Sequence, residues 1–301
     1  MSLNINNSEI ENLKRQINNI YYTINDITPM SNVQILSDIS IFYPGANISS
    51  LLNLGGNIYI TSPSSQYVFS LSNSSSSNPS IFESLKSGIS IPQYITYSVT
   101  DSAMFLYDVN NGLYKVSSSG SLQNLTNPVA SVKYIQSFLG NIYMLDPSSG
   151  TMYIASQSNG YRVSKDFASP VLKGSKSFAV DGNIFVVDSS GSIERFYANQ
   201  LTPFNITNQE AMEYPLGEVS YIYDNMYTND LFVVDPSHER VVVLQKPAIN
   251  ATNTIDYKFV KQYVYLGSDS KIFSHITYMD ISSSGSTLYL VSGTKIIRVS
   301  L

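Results

Sequence analysis

Four aspartates recur at one place in a repeating pattern. Asp108, Asp146, Asp188 and Asp235 each end a short β-rich segment and precede a turn, and Ser62 and Ser292 hold the same place in two further segments. Two chemistries suit such a set. A ring of carboxylates around one opening could hold a cation with hard oxygen ligands. Alternatively, each aspartate accepts hydrogen bonds from the N–H groups of its own turn. Recurrence in repeat after repeat favours the turn role, because a binding site draws different residues from different repeats. His238 lies in the turn Asp235-Pro-Ser-His-Glu239, where a neighbouring carboxylate could orient it as a general base. His275, the second histidine, reads as part of an inner strand. A Ser-His-Asp arrangement needs one particular serine, and among 50 serines none stands out. Glu83, Glu210, Glu213 and Glu218 are acids that connecting loops could carry to a central site. No catalytic residue, metal ligand or cofactor is assigned.

Tyrosine is the other candidate. Of 23 tyrosines, many fall at alternate strand positions and belong to the core. Tyr21, Tyr22, Tyr94, Tyr97, Tyr221, Tyr223, Tyr227 and Tyr263 do not place so simply. A tyrosine offers a flat apolar face and a hydroxyl, which suits a sugar or a protein partner; scattered surface tyrosine is the alternative. Two connectors, Ser72–Ser80 and Ala248–Thr254, are long and polar.

Composition excludes several classes. The 301 residues hold no Cys and no Trp, with 17 Lys+Arg against 22 Asp+Glu. Thiolate metal sites and disulfide scaffolds are out. A net charge of -5 argues against nucleic-acid binding. No apolar run is long enough to insert in a membrane. The first 29 residues lack the positive start and apolar core of a secretory signal. Six Asn-x-Ser/Thr sequons are present, but 27 Asn in a chain this rich in Ser and Thr yield about six by chance.

Residues 8–27 read as a helix. Ser8 and Glu11 form a capping box. Ile10, Leu13, Ile17, Ile20, Ile24 and Ile27 then follow at 3-4 spacing, a heptad seam, and Pro29 stops it. One reading is an amphipathic helix lying on its own domain. The other is a short coiled coil for self-association or docking, where isoleucine at both core positions favours a homotrimer.

Beyond residue 32 the chain repeats. Asn57–Ser62, Ala103–Asp108, Asn141–Asp146, Asn183–Asp188, Asp230–Asp235 and Thr287–Ser292 align, and their final residues average 46 apart. That is the length of four strands and their turns, one blade of a propeller. Each segment is strand B of a blade, the β-rich run before it the inner strand A, and the run after its turn strand C. The inner runs Lys133–Ile135, Ser177–Val180 and Tyr221–Tyr223 carry almost no carboxylates. The last blade ends on its strand C, so an N-terminal run, Asp38–Phe42, is expected to close the ring. The fold class is all-β: a six-bladed β-propeller, residues 31–301, after an N-terminal helix, residues 1–30.

The segments, with phrases such as Asn141-Ile-Tyr-Met-Leu-Asp146 before a glycine turn, resemble the six-bladed propellers of the NHL and SMP-30-like group. The resemblance implies that the B–C turns face the ligand-bearing side, so that Asp108, Asp146, Asp188, Asp235 and His238 mark that face. The low charge and Ser, Asn and Tyr richness are similar to surface and virion proteins of acidophilic archaea and their viruses. The expectation is a non-enzymatic structural or receptor-facing protein of a virion or cell surface. Its partners would be itself, other structural proteins, or a surface glycan or receptor. An SMP-30-like hydrolase or lyase acting in the channel, and a cytoplasmic interaction scaffold, are the alternatives.

Overall fold

Six blades, each of four antiparallel strands, stand around one axis, and two further strands, Ile27–Met30 and Phe204–Thr207, lie parallel on the outer edge of the fifth blade. The computed structural model describes residues 7–30, 32–82, 85, 88–117, 120–129, 131–224, 229–247, 255–267 and 272–301. The chain starts with α1 (Asn7–Ile24), β1 (Ile27–Met30), β2 (Asn32–Asp38) and the single turn α2 (Ile39–Phe42). Blade 1 is β3 (Ser50–Leu54), β4 (Asn57–Ser62), β5 (Tyr67–Ser72) and β6 (Ser80–Ile81). Blade 2 is β7 (Pro92–Ser98), β8 (Ala103–Asp108), β9 (Gly112–Val116) and β10 (Leu122–Asn124). Blade 3 is β11 (Tyr134–Phe138), β12 (Asn141–Asp146), β13 (Thr151–Ser156) and β14 (Val163–Ala168). Blade 4 is β15 (Ser177–Val180), β16 (Ile184–Val187), β17 (Ile193–Tyr197) and β18 (Gln200–Thr202). After β19 (Phe204–Thr207), blade 5 is β20 (Tyr221–Asp224), β21 (Asp230–Asp235), β22 (Arg240–Gln245) and β23 (Ile255–Tyr265). Blade 6 is β24 (Ile276–Ile281), β25 (Thr287–Ser292) and β26 (Lys295–Ser300), with β2 as its outer strand. The inner strands β3, β7, β11, β15, β20 and β24 each touch the next, and β24 touches β3, closing the ring.

The middle strands are apolar on both faces, because each blade is covered by its two neighbours. Every residue of β8 is buried, as is every residue of β25. One apolar cluster joins blades 1, 2, 3, 5 and 6, and smaller clusters fill the gaps between blades 1 and 2, 3 and 4, and 4 and 5. Full burial of an Ile such as Ile58 or Ile142 is worth about 1.5–3 kcal/mol. The turns supply the reversals. Gly112, between β8 and β9, has φ +90, and a Cβ there would sit 2.2 Å from the Thr126 carbonyl oxygen. Only glycine fits this turn against the connector that leads to blade 3.

The ring closes through an N-terminal strand, but not through the run the sequence suggests. Asn32–Asp38 pairs with β26, Val33 opposite Val299 and Ile35 opposite Ile297. Residues 39–42 instead form α2, because the Asp38 carboxylate caps it, accepting from Ser40 N at 3.1 Å. The same oxygen accepts from Thr294 Oγ1 at 2.8 Å, tying the cap to the last hairpin.

The first helix also ends early. It stops at Ile24, Asp26 takes φ +47, and Ile27–Met30 becomes a strand lying parallel on the outer edge of β23. Pro29 has no N–H and disfavours helical backbone at Thr28, which accounts for the stop. The helix boundary therefore lies before β1 rather than at residue 30, and Ile27 is a buried propeller residue rather than part of the seam. Helix α1 itself buries none of its residues. Among the described residues no helix is long and apolar enough to cross a membrane.

Candidate functional site

The recurring aspartates serve their turns. Asp108 accepts from Asn110 N and Asn111 N, both at 2.9 Å, and from Ser90 N and Ile91 N in the incoming connector, at 2.6 and 2.7 Å. Asp146 accepts from the backbone and hydroxyl of both Ser148 and Ser149, and Asp188 from Ser190 and Ser192. Burial pushes the Asp146 and Asp188 carboxyls up, but these donors outweigh it and hold both below the ordinary value. Asp235 is fully buried and saturated too: Gly217 N, Ser237 Oγ, His238 Nδ1 at 2.8 Å and the Arg240 guanidinium at 2.9 Å all reach it. Arg240 also donates to Gln262 and to the carbonyls of Tyr214 and Pro215, and Gln262 donates to Asn25 O at the base of α1. His238 stacks on Tyr214 at 5.1 Å. This cluster docks the root of the helix on blade 5. These carboxylates and His238 therefore have protein partners.

A cavity of about 460 Å³ opens at the other end of the channel, where the inner strands turn into strand B. Its wall includes Leu54–Gly56, Phe138, Val180 and Ser282–Ser283, all at the exit ends of inner strands or in the A–B turns. The site thus lies away from the face that the resemblance implies. Five tyrosines line it: Tyr94, Tyr97, Tyr221, Tyr223 and Tyr278. Three of these meet from three blades. Tyr278 lies 5.4 Å from Tyr94 and 4.6 Å from Tyr221, ring centre to ring centre, and Tyr134 closes against Tyr94 at 5.8 Å. The Tyr94 and Tyr221 hydroxyls are 3.4 Å apart. Such side chains fill the axis and make the floor of a funnel.

Two carboxyls reach this funnel, Asp224 from β20 and Asp280 from β24. Asp280 accepts from Asn53 N, Tyr223 Oη and Ile281 N, each at 2.7 Å. Burial dominates these donors and lifts its pKa to about 6. Burial likewise lifts Asp224 to about 6; Lys246, paired with it, works against the rise and Asp181 adds to it. Lys246 also lies 3.5 Å from Asp181, so one cation serves two acids there. Burial holds the Tyr221 and Tyr278 hydroxyls well above their usual value, fully protonated across the physiological range.

Of the tyrosines that resisted placement, Tyr94, Tyr97, Tyr221 and Tyr223 come together here. Tyr263 is buried in the outer strand of blade 5, Tyr21 and Tyr22 sit on α1, and Tyr227 lies outside the described residues. The loop acids do not reach the funnel. Glu218 pairs with Lys176, Glu213 faces Tyr21, Glu210 is exposed, and Glu83 is outside the described residues. His275 is exposed in the turn before β24, not in the inner strand, and its Nδ1 lies 2.7 Å from Ser274 Oγ. The channel is thus not free of carboxylates: Asp224 directly follows the inner run Tyr221-Ile-Tyr223, and Asp280 lies in the inner strand of blade 6.

No family model matches the sequence, and no curated protein is similar to it. Solved structures are similar. A gluconolactonase from Xanthomonas campestris aligns over 89% of each chain, at 9% identity and a TM-score of 0.58. Virginiamycin B lyase from Staphylococcus aureus aligns over 90% of this chain and 98% of its own, at 13% identity and 0.53. The WD40 repeats of RRP9 align over 90% and 97%, at 11% identity and 0.54. The likeness is one of fold. It corrects the expectation of a non-enzyme, because a lyase and a gluconolactonase are among the structures that share this fold. Six blades leave enzymatic activity open, and the site must carry the argument.

Proposed function

We propose that this protein is a propeller head displayed by its N-terminal helix, a receptor-facing component of a particle or cell surface that assembles through that helix with copies of itself. The observation that supports it is the orientation of the seam. Leu13, Ile17, Ile20 and Ile24 are 56–67% exposed, although α1 is joined directly to the propeller through β1. An 18-residue helix is marginal alone in water. A continuous apolar stripe on it is stable when covered. Ile10, Ile17 and Ile24 fall at one core position, and Leu13 and Ile20 at the other; isoleucine at both positions, as in Ile17 with Ile20, favours three strands. Glu9 and Lys14 then occupy the flanking positions that pair between parallel neighbours, with opposite charge. Low charge and hydroxyl richness suit an exterior setting and support the surface role.

Light scattering of the full chain tests this. A threefold mass that falls to the monomer in the Ile17→Asp, Ile20→Asp double variant is the expected result. A monomeric unmodified chain, or an oligomer that survives the double variant, overturns self-assembly through the seam.

One observation favours a second reading, acid–base chemistry in the channel by a hydrolase or lyase. Asp224 and Asp280 are both poised near neutrality within one cavity, where a carboxyl can give and take a proton. Turnover of a lactone or ester panel that is lost in both Asp224→Asn and Asp280→Asn is the supporting result. Activity insensitive to both substitutions removes the reading.

A further inference from the structure

The funnel has an electrostatic character that its fold does not require. Its lining holds two carboxyls and five tyrosines but neither Lys nor Arg. Lys246, which pairs with Asp224, is already divided between it and Asp181. Asp280 is served only by neutral donors, two backbone N–H groups and the Tyr223 hydroxyl. A carboxylate offers about four acceptor sites, so one remains after these three bonds. The charge of its ionised form is therefore uncompensated by protein, in a place where water screens poorly. The tyrosines compound this. Each ring face carries the negative end of a quadrupole, and Tyr94, Tyr221 and Tyr278, all lining the cavity, have their ring centres 5.4 and 4.6 Å apart across Tyr278.

The same features disfavour an anion and a bare metal ion. An anion would meet carboxyls and ring faces of its own sign. A bare metal ion needs several hard ligands, and among the described residues no three acidic or histidine side chains converge. A small organic cation meets both requirements at once: the rings accept its diffuse charge, and the carboxylate neutralises it. The volume, about 460 Å³, lies in the range of small-molecule sites.

We propose that the funnel at the A–B end of the channel is a binding site for an organic ammonium group, seated over Tyr94, Tyr221 and Tyr278 and against Asp280. This goes beyond assembly through the helix and stands or falls separately from it.

The test uses the full chain and two probes of matched shape, choline and its uncharged carbon isostere 3,3-dimethylbutan-1-ol. Titration calorimetry near neutral pH is expected to show saturable choline binding at least tenfold tighter than the isostere, the gain that a desolvated cation over aromatic rings provides. In Asp280→Asn the choline affinity is expected to fall about tenfold, towards that of the isostere, with the melting transition retained. The probe pair on the unmodified protein decides the matter even where the variant fails to fold. Equal affinity for the two probes overturns the proposal, and so does the absence of saturation at about 10 mM choline, a range in which an interaction of ~4 kcal/mol is readily seen. A folded Asp280→Asn variant that keeps the full preference for choline overturns the role of Asp280.

Discussion

Mild acid should stabilise this protein before stronger acid unfolds it. Asp224 and Asp280 rise from an ordinary 3.8 to about 6, because burial penalises their charge. Each is thus a better proton acceptor in the folded than in the unfolded chain. Between about pH 6 and pH 4 the folded state takes up protons that the unfolded state does not, so stability climbs as pH falls through this window. A carboxyl displaced this far contributes about 3 kcal/mol across it, or about 5 °C in melting temperature for a chain of this length. Below about pH 4 the opposite group takes over. Asp38, Asp101, Asp146, Asp188 and Asp235 are all held low by hydrogen bonds or cations that outweigh their burial. Their stabilisation is complete above the unfolded pKa and is lost as they protonate. The expected curve has its maximum near pH 4–5. Urea unfolding at stepped pH reads it directly, and Asp280→Asn, which cannot titrate, should remove about half of the rise. A stability that increases steadily from pH 4 to 7, or a variant that keeps the whole rise, refutes the reasoning.

Three further outcomes follow from the packing. Gly112→Ala should cost at least about 2 kcal/mol, because it combines a positive φ with a Cβ pressed on the Thr126 carbonyl oxygen; Gly45→Ala, also at positive φ but in open space, should cost about 1 kcal/mol, and paired melts separate the two. Arg240→Met should lose about 3–5 kcal/mol by leaving the buried Asp235 without its guanidinium, read as a lower urea midpoint. Asp38→Ala should cost about 1 kcal/mol through the lost cap of α2, with hydrogen exchange rising first at residues 39–43.

What the sequence revealed follows the strength of each local signal. The strand B segments were plain because a blade's second strand is buried on both faces and must be apolar throughout, as in Asp230-Leu-Phe-Val-Val-Asp235. The aspartates that follow read as turn residues because each has partners two to four positions away in the chain; the further bonds of Asp108 to Ser90 and Ile91, and of Asp235 to Gly217 and Arg240, are not visible in the local pattern. The closing strand was harder. Asn32-Val-Gln-Ile-Leu-Ser-Asp38 has the alternation of an edge strand, but its partner β26 lies at the far end of the chain, and Asp38-Ile-Ser-Ile-Phe42 looks more β-like. What decides between them is the cap made by Asp38, a three-dimensional event. The funnel was harder still. Its five tyrosines and two acids come from three inner strands, β7, β20 and β24, each contributing residues that are unremarkable alone. The helix seam was overextended by one position, because Ile27 continues the spacing while Pro29 and the edge of β23 take the backbone away.

The latch made by β2 has a consequence for how the molecule is born. Residues 32–38 leave the ribosome well before residues 295–300 and must wait for them before blade 6 has its outer strand. Nearly the whole propeller is therefore synthesised as an open arc, with α1 and the first strands dangling from its start. A pull on the helix would be met first on blade 5, where Gln262 holds Asn25 O and β1 lies along β23, and only after these gave way would it reach the latch between β2 and β26.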